Sequence, residues 1–124
     1  MSTRRRPGSP TVIVQLRDAL RQFARDRDWE QFHSPKNLAI ALSVEAAELL
    51  EHFQWTADGS SARLSEKKRV AVSEELADVL LYLIMISDQL DIDLVAAARE
   101  KLAVNARKYP ADEVRGSCKK YSET

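Results

Sequence analysis

The chain has few residues that break helices. Its three glycines (Gly8, Gly59, Gly116) and four prolines (Pro7, Pro10, Pro35, Pro110) fall where breaks between elements are expected, and they leave long windows free of interruption. A single cysteine, Cys118, excludes an intrachain disulfide and fits a reducing, cytoplasmic setting. Charge of one sign is not in excess: 19 basic residues face 19 acidic ones. Nothing in that balance points to nucleic acid or to an anionic membrane. The longest apolar run, Val79 to Ile86, falls far short of the ~20 residues of a membrane-spanning helix. The opening MSTRRRPGSP is basic, with Arg4 to Arg6 read as a solvated tail, and has no apolar signal core; a transit peptide is the other reading. With 124 residues there is room for one domain with a modest core and not for two.

What is present is helical periodicity. No strand alternation stands out, and four helices account for the apolar pattern. The first, about 11–28, carries Ile13, Leu16, Leu20 and Phe23 on one stripe, with Arg17, Asp18, Arg21 and Arg25 largely off it. The second starts at Ser34–Pro35, a capping residue followed by proline at the first helical position, and runs to about Gln54. Its apolar side is Leu38, Leu42, Leu49 and Phe53. The third runs from about Ser65 to Gln89, and its LLYLIMI half is apolar all round, which implies cover on more than one side and therefore subunit contacts. The fourth starts at Asp91 or Asp93 and stops at Pro110. Four helices with short connections predict an all-α four-helix bundle over 10–110, with tails at 1–9 and 111–124 and a loop, TADGSS, at 56–61.

Two short acidic motifs stand apart from this pattern. Glu45 and Glu48 lie three apart on the second helix, Glu75 and Asp78 three apart on the third. That spacing stacks each pair on one helix face. Glu45 falls inside the Leu38–Phe53 stripe, and Asp78 sits next to Val79 and Tyr82. If the two helices pack together, four carboxylates converge. Uncompensated, such charges cost several kcal/mol each away from water. No lysine or arginine lies between the pairs on these faces. A hard divalent cation, Mg²⁺ with Mn²⁺ as a substitute, suits an all-oxygen set better than zinc or copper. One E-x-x-E alone reads as surface charge, as Glu51 and Glu74 do. Two pairs beside apolar stripes on consecutive helices read as a site. A di-iron bundle needs Glu-x-x-His on two helices; His52 is one step beyond that spacing, and the third helix has no histidine. Magnesium held by few protein groups usually also binds substrate phosphates. With no glycine-rich phosphate loop in the chain, the chemistry that fits is metal-assisted hydrolysis of a phosphoanhydride, with a carboxylate taking the proton of the attacking water.

The segments DWEQFHSPKNL (28–38), E-x-x-E (45–48) leading to FQW (53–55), EELADVLLYL (74–83) and NARKYP (105–110) together resemble the MazG-like all-α nucleotide pyrophosphohydrolases, closest to the dCTP pyrophosphatase branch, over about residues 12–110. The resemblance implies Mg²⁺-dependent hydrolysis of a nucleoside triphosphate, dCTP or a modified dCTP, to the monophosphate and pyrophosphate, in the service of nucleotide-pool sanitation. It implies Glu45, Glu48, Glu75 and Asp78 as metal ligands; among these acids Glu45 and Glu48 are the candidates for the base. Trp29, Glu30, Gln31, Phe32, His33 and Trp55 would shape the base and sugar pocket, with Tyr82 near the substrate. Asn105 and Tyr109, with Lys108 beside them, would approach from a neighbouring helix or subunit. It also implies a homo-oligomer, a tetramer of paired dimers in preference to a dimer. Leu20 stands where the branch can carry a histidine. A broad-specificity house-cleaning pyrophosphatase and a catalytically silent nucleotide- or metal-binding bundle are the alternatives.

Several of these residues also have plain structural readings. Trp29 and Trp55 at helix ends read as core or edge anchors. His33, just before a helix cap, reads as a local hydrogen-bond partner. Asn105, on a face with Ala98, Leu102 and Tyr109, reads as a buried amide that needs partners. Arg107 and Lys108 could neutralise phosphate but also suit the end of a helix, and Tyr82 suits a core with its hydroxyl tied to a carboxylate.

Overall fold

A computed structural model describes residues 11–55 and 64–117. The N-terminal tail with Arg4 to Arg6, the TADGSS loop and Cys118 lie outside the described residues. Five α-helices and one 3₁₀ turn, with no strand among the described residues, make the all-α architecture that was expected. The helices are α1 (Val12–Asp26), α2 (Pro35–Glu51), α3 (Glu66–Gln89), α4 (Leu94–Lys108) and α5 (Ala111–Val114), and the 3₁₀ turn is Glu30–Phe32. By their internal contacts the residues fall into two units, Met1–Asp91 and Ile92–Thr124.

In the first unit each α-helix starts at a side-chain cap. Thr11, Ser34 and Ser65 accept from the backbone N–H of Val14, Asn37 and Lys68, each at 3.1 Å, which satisfies donors that the first turn leaves open. Helix α1 ends two residues before the expected Asp28 because Asp28 turns left-handed, at φ 54°. The N–H groups of Asp28 and Trp29 then close on the carbonyls of Arg25 and Ala24, at 3.1 and 2.9 Å. This is a Schellman closure with aspartate in the position glycine usually takes. Helix α2 stops at Glu51 rather than Gln54 and passes into turns.

Helix α3 is the common element: it packs most extensively on α2 and also on α1. Ala24, Leu38, Val72 and Ile84 are the buried apolar residues among those described, with Ser87 beside them. Ser87 avoids an unpaired hydroxyl by donating to the Ile84 carbonyl at 2.9 Å, as a buried polar group requires. Phe23 is not part of the buried stripe of α1. It is 46 % exposed. Trp29 meets it edge-on with centroids 5.8 Å apart, and the Arg27 guanidinium lies 3.6 Å over its ring. On α3, Leu76, Leu80 and Leu83 stay open at 52, 38 and 37 %. They recur at helical spacing as one stripe.

The second unit holds α4 and α5. Asp93 caps α4, its carboxylate accepting from Ala96 N–H at 3.0 Å. Asp91 is the left-handed residue that closes α3, at φ 55°, and so cannot start a helix. Helix α4 ends two residues before Pro110, as a proline boundary dictates. Residues 111–114 add a short helix inside the stretch expected to be a flexible tail. The α4 face read as burying an amide is largely open: Leu102 is 70 % exposed, Ala98 is exposed, and Asn105 and Tyr109 are partly buried.

Candidate active site

The packing of α2 on α3 answers the question set by the two acidic motifs. Glu45 and Glu48 on α2 and Glu75 on α3 each present a carboxylate oxygen, and these oxygens lie within 4.8 Å of one another. All three side chains are partly buried. Asp78, one turn on from Glu75, is exposed and stands outside that close group. Its charge still acts on Glu45. The structure thus gathers three of the four predicted acids and leaves the fourth at the rim.

The electrostatics are those of an uncompensated cluster. Burial, a hydrogen bond shared with Glu75 and the charges of Glu48 and Asp78 push Glu45 up to about 7. Glu48 is raised as well, by the charge of Glu75 first and then by burial. Tyr82, one turn beyond Asp78, is raised by its own burial and by the charges of Glu45 and Asp78. Like charges and desolvation both disfavour the ionised forms. One atom carries this further: Glu75 Oε2 is buried and has no hydrogen-bond partner among the described residues. A buried carboxylate oxygen without a donor is costly unless something positive faces it. Among the described residues no lysine or arginine pairs with the cluster; the nearest basic group is His52, whose Nε2 is 4.0 Å from Glu75 Oε1. The donor set, all carboxylate oxygens with one left bare, fits a hard divalent cation.

The chain belongs to the MazG-like family. The family's model matches residues 40–124, a span that contains both acidic motifs. Human dCTP pyrophosphatase 1 is 46 % identical over 114 residues, which is 90 % of this chain and 67 % of the human protein. The mouse protein of the same name is 43 % identical over the same shares. Among solved structures, a pyrophosphatase from Archaeoglobus fulgidus aligns with a TM-score of 0.71 and 40 % identity, over 86 % of this chain and 99 % of its own. Family membership makes the chain a nucleoside triphosphate pyrophosphohydrolase with a divalent-metal chemistry.

The other predicted residues of this MazG-like chain are placed as follows. Trp29 lies against Phe23 and is 45 % exposed. Gln31 donates to the Asp28 carbonyl at 3.0 Å and to its carboxylate at 3.2 Å. The Phe32 ring is 58 % exposed, while its carbonyl accepts from the Asn37 amide at 3.0 Å. Glu30 and His33 face a cleft of about 150 Å³ that Leu20, Ile84 and Met85 also line. Trp55 is 86 % exposed, so it is no core anchor. Asn105, Lys108 and Tyr109 belong to the second unit, at the end of α4.

Two features escaped the sequence reading. Arg21 reaches from α1 to Asp88 on α3, donating from Nε at 2.8 Å and from Nη2 at 2.5 Å. Nothing local announces a pair 67 residues apart. By spacing alone His52 reads only as a failed iron ligand. Its signal was there: it lies one turn beyond Glu48 on the same helix face.

Proposed function

We propose that this chain hydrolyses dCTP, or a modified dCTP, to dCMP and pyrophosphate, with Mg²⁺ as the cofactor and Mn²⁺ as a substitute, and so clears or balances the nucleotide pool. The observation that carries this reading is the meeting of Glu45, Glu48 and Glu75 around the bare Oε2 of Glu75, in a chain similar to dCTP pyrophosphatases. A divalent cation bound there offsets the charge of the triphosphate and the charge that develops as the phosphoanhydride breaks. Glu45, Glu48 and Glu75 would hold it, with Asp78 completing the set from the rim. Glu45 or Glu48 takes the proton of the attacking water as it adds to phosphorus of the α–β bridge. Pyrophosphate leaves, and the monophosphate remains.

Recognition of the nucleotide falls to Trp29, Glu30, Gln31, Phe32, His33, Trp55 and Tyr82; Asn105, Lys108 and Tyr109 would approach from a neighbouring subunit or helix. The exposure of Trp55 supports a stacking role, since an aromatic face against a base contributes ~1 to 3 kcal/mol whatever the base. The cleft formed by Leu20, Glu30 and His33 joins two parts of the chain that the base reading needs together. The functional unit is a homo-oligomer in the cytoplasm, a tetramer in preference to a dimer. The open stripe of Leu76, Leu80 and Leu83 supports that, being an apolar face that a second copy would bury. Leu80→Glu is expected to lower the oligomeric state in light scattering; an unchanged mass would remove α3 from the interface.

The deciding experiment is pyrophosphate release in Mg²⁺ from a panel of canonical and 5-substituted deoxy- and ribonucleoside triphosphates. Strong preference for the cytosine nucleotides is expected. Equal rates across bases would make the chain a house-cleaning enzyme on the same carboxylates. Saturable binding with no turnover would make it a silent member of the family.

A further inference from the structure

We propose that His52 is a positioning residue for the metal site, holding Glu75 so that its bare oxygen faces the cation. The inference rests on the reading of the carboxylate cluster as a divalent-cation site. It concerns a residue that no part of that reading uses.

The geometry comes from α2. Glu45, Glu48 and His52 follow one another at three and four residues, so they line one face of the helix, the face that meets α3. His52 is the residue at which α2 ends. Its backbone N–H closes on the carbonyls of Leu49 and Leu50, which fixes where the side chain starts. Its Nε2 lies 4.0 Å from Glu75 Oε1, and the two side chains are only 19 and 17 % exposed. Closing to a direct hydrogen bond takes on the order of 1 Å. The two oxygens of Glu75 are therefore unlike. Oε1 faces a ring nitrogen from α2; Oε2 is buried with no partner among the described residues. A carboxylate steadied at one oxygen presents the other in a fixed direction. Groups that orient ligands in this way commonly change metal affinity 10- to 100-fold when removed. The plain alternative is a histidine that merely terminates α2, since a positive or donating group is favoured at a helix C-terminus.

Metal binding to the full chain without substrate separates the two. His52→Leu keeps the bulk and loses the nitrogen; His52→Gln keeps an N–H donor. Mn²⁺ titration followed by electron paramagnetic resonance is expected to show about tenfold weaker binding for His52→Leu and near-normal binding for His52→Gln. Raising the Mg²⁺ concentration should restore the turnover of His52→Leu, since the defect is in affinity. Equal Mn²⁺ affinity for wild type and His52→Leu, with Glu75→Gln impaired, overturns this inference and leaves the metal site standing. Wild type that binds no Mn²⁺ overturns both. Should His52→Leu fail to fold, the wild-type protein still decides. It has two histidines, and Mg²⁺ is expected to move the imidazole nitrogen resonances of His52 more than those of His33. Equal responses overturn the proposal.

Discussion

Helix α3 carries carboxylates in two opposite settings. Near its C-terminus Asp88 meets the guanidinium of Arg21 in a two-point pair, and that hydrogen bond holds the Asp88 carboxyl below its usual range. Three turns earlier Glu75 faces two more acids, and burial together with those neighbouring acids pushes Glu45 up to about 7. The helix, the solvent access and the residue type are similar. What differs is whether the chain supplies its own cation. Asp88 has one, so its charge ties α1 to α3 and is complete without a ligand. The Glu45–Glu48–Glu75 group has none among the described lysines and arginines, so its charge is complete only when something is brought in. A structural acid and a site acid differ in that respect more than in burial or position.

The largest test of the contrast is Glu48→Gln. It takes one acid from the open cluster, and turnover is expected to fall about 100-fold or more, as losing several kcal/mol of transition-state stabilisation requires. The helical content by circular dichroism should stay unchanged. Activity at the wild-type level would end the metal-site reading.

The second test uses the sign of the raised groups. A carboxyl whose folded pKa lies above its unfolded value stabilises the fold at low pH, and this stability is lost as pH rises towards the folded value. For Glu45 that window runs from the ordinary value of 4.5 to about 7. Metal-free protein should therefore melt lower at pH 8 than at pH 5.5, on the order of 5 °C once screening by solvent is allowed for. Mg²⁺ should remove most of the difference, because it binds the ionised cluster. Calorimetry with and without chelator reads this directly, and a metal-independent slope would count against the cluster as its source.

The smallest effect is expected at the closed pair. Asp88→Asn should cost about 0.5 to 1 kcal/mol in urea unfolding at pH 7, because Arg21 is largely solvent-facing and such pairs are screened. The sign is opposite to that of the cluster. Asp88 is depressed, so its contribution is present above the ordinary value of 3.8 and is lost as pH falls further. The gap between wild type and variant should narrow in acid and should ignore Mg²⁺. A gap that responds to Mg²⁺ would blur the distinction between the two settings.

Much was legible in the residues alone because it is local. Thr11, Ser34, Ser65 and Asp93 cap their helices through their own side chains, and each acts within three residues of itself. The pairing of Glu45 with Glu48 on one face follows from helical periodicity. So does the placing of Glu45 in an apolar stripe. The helix ends were less legible. Asp28 and Asp91 adopt a left-handed conformation that aspartate permits but does not demand.

What only the tertiary structure decided is azimuth and partnership between elements. Periodicity says which residues share a face of one helix; packing says which face of the next helix it meets. That choice drew Glu75 into the close group and left Asp78 at its edge. It paired Arg21 with Asp88, set His52 against Glu75, and moved Phe23 out of the core to receive Trp29. The carboxylates were determined by the sequence; the bare oxygen among them exists because α2 and α3 press those faces together and no described lysine or arginine pairs with them there.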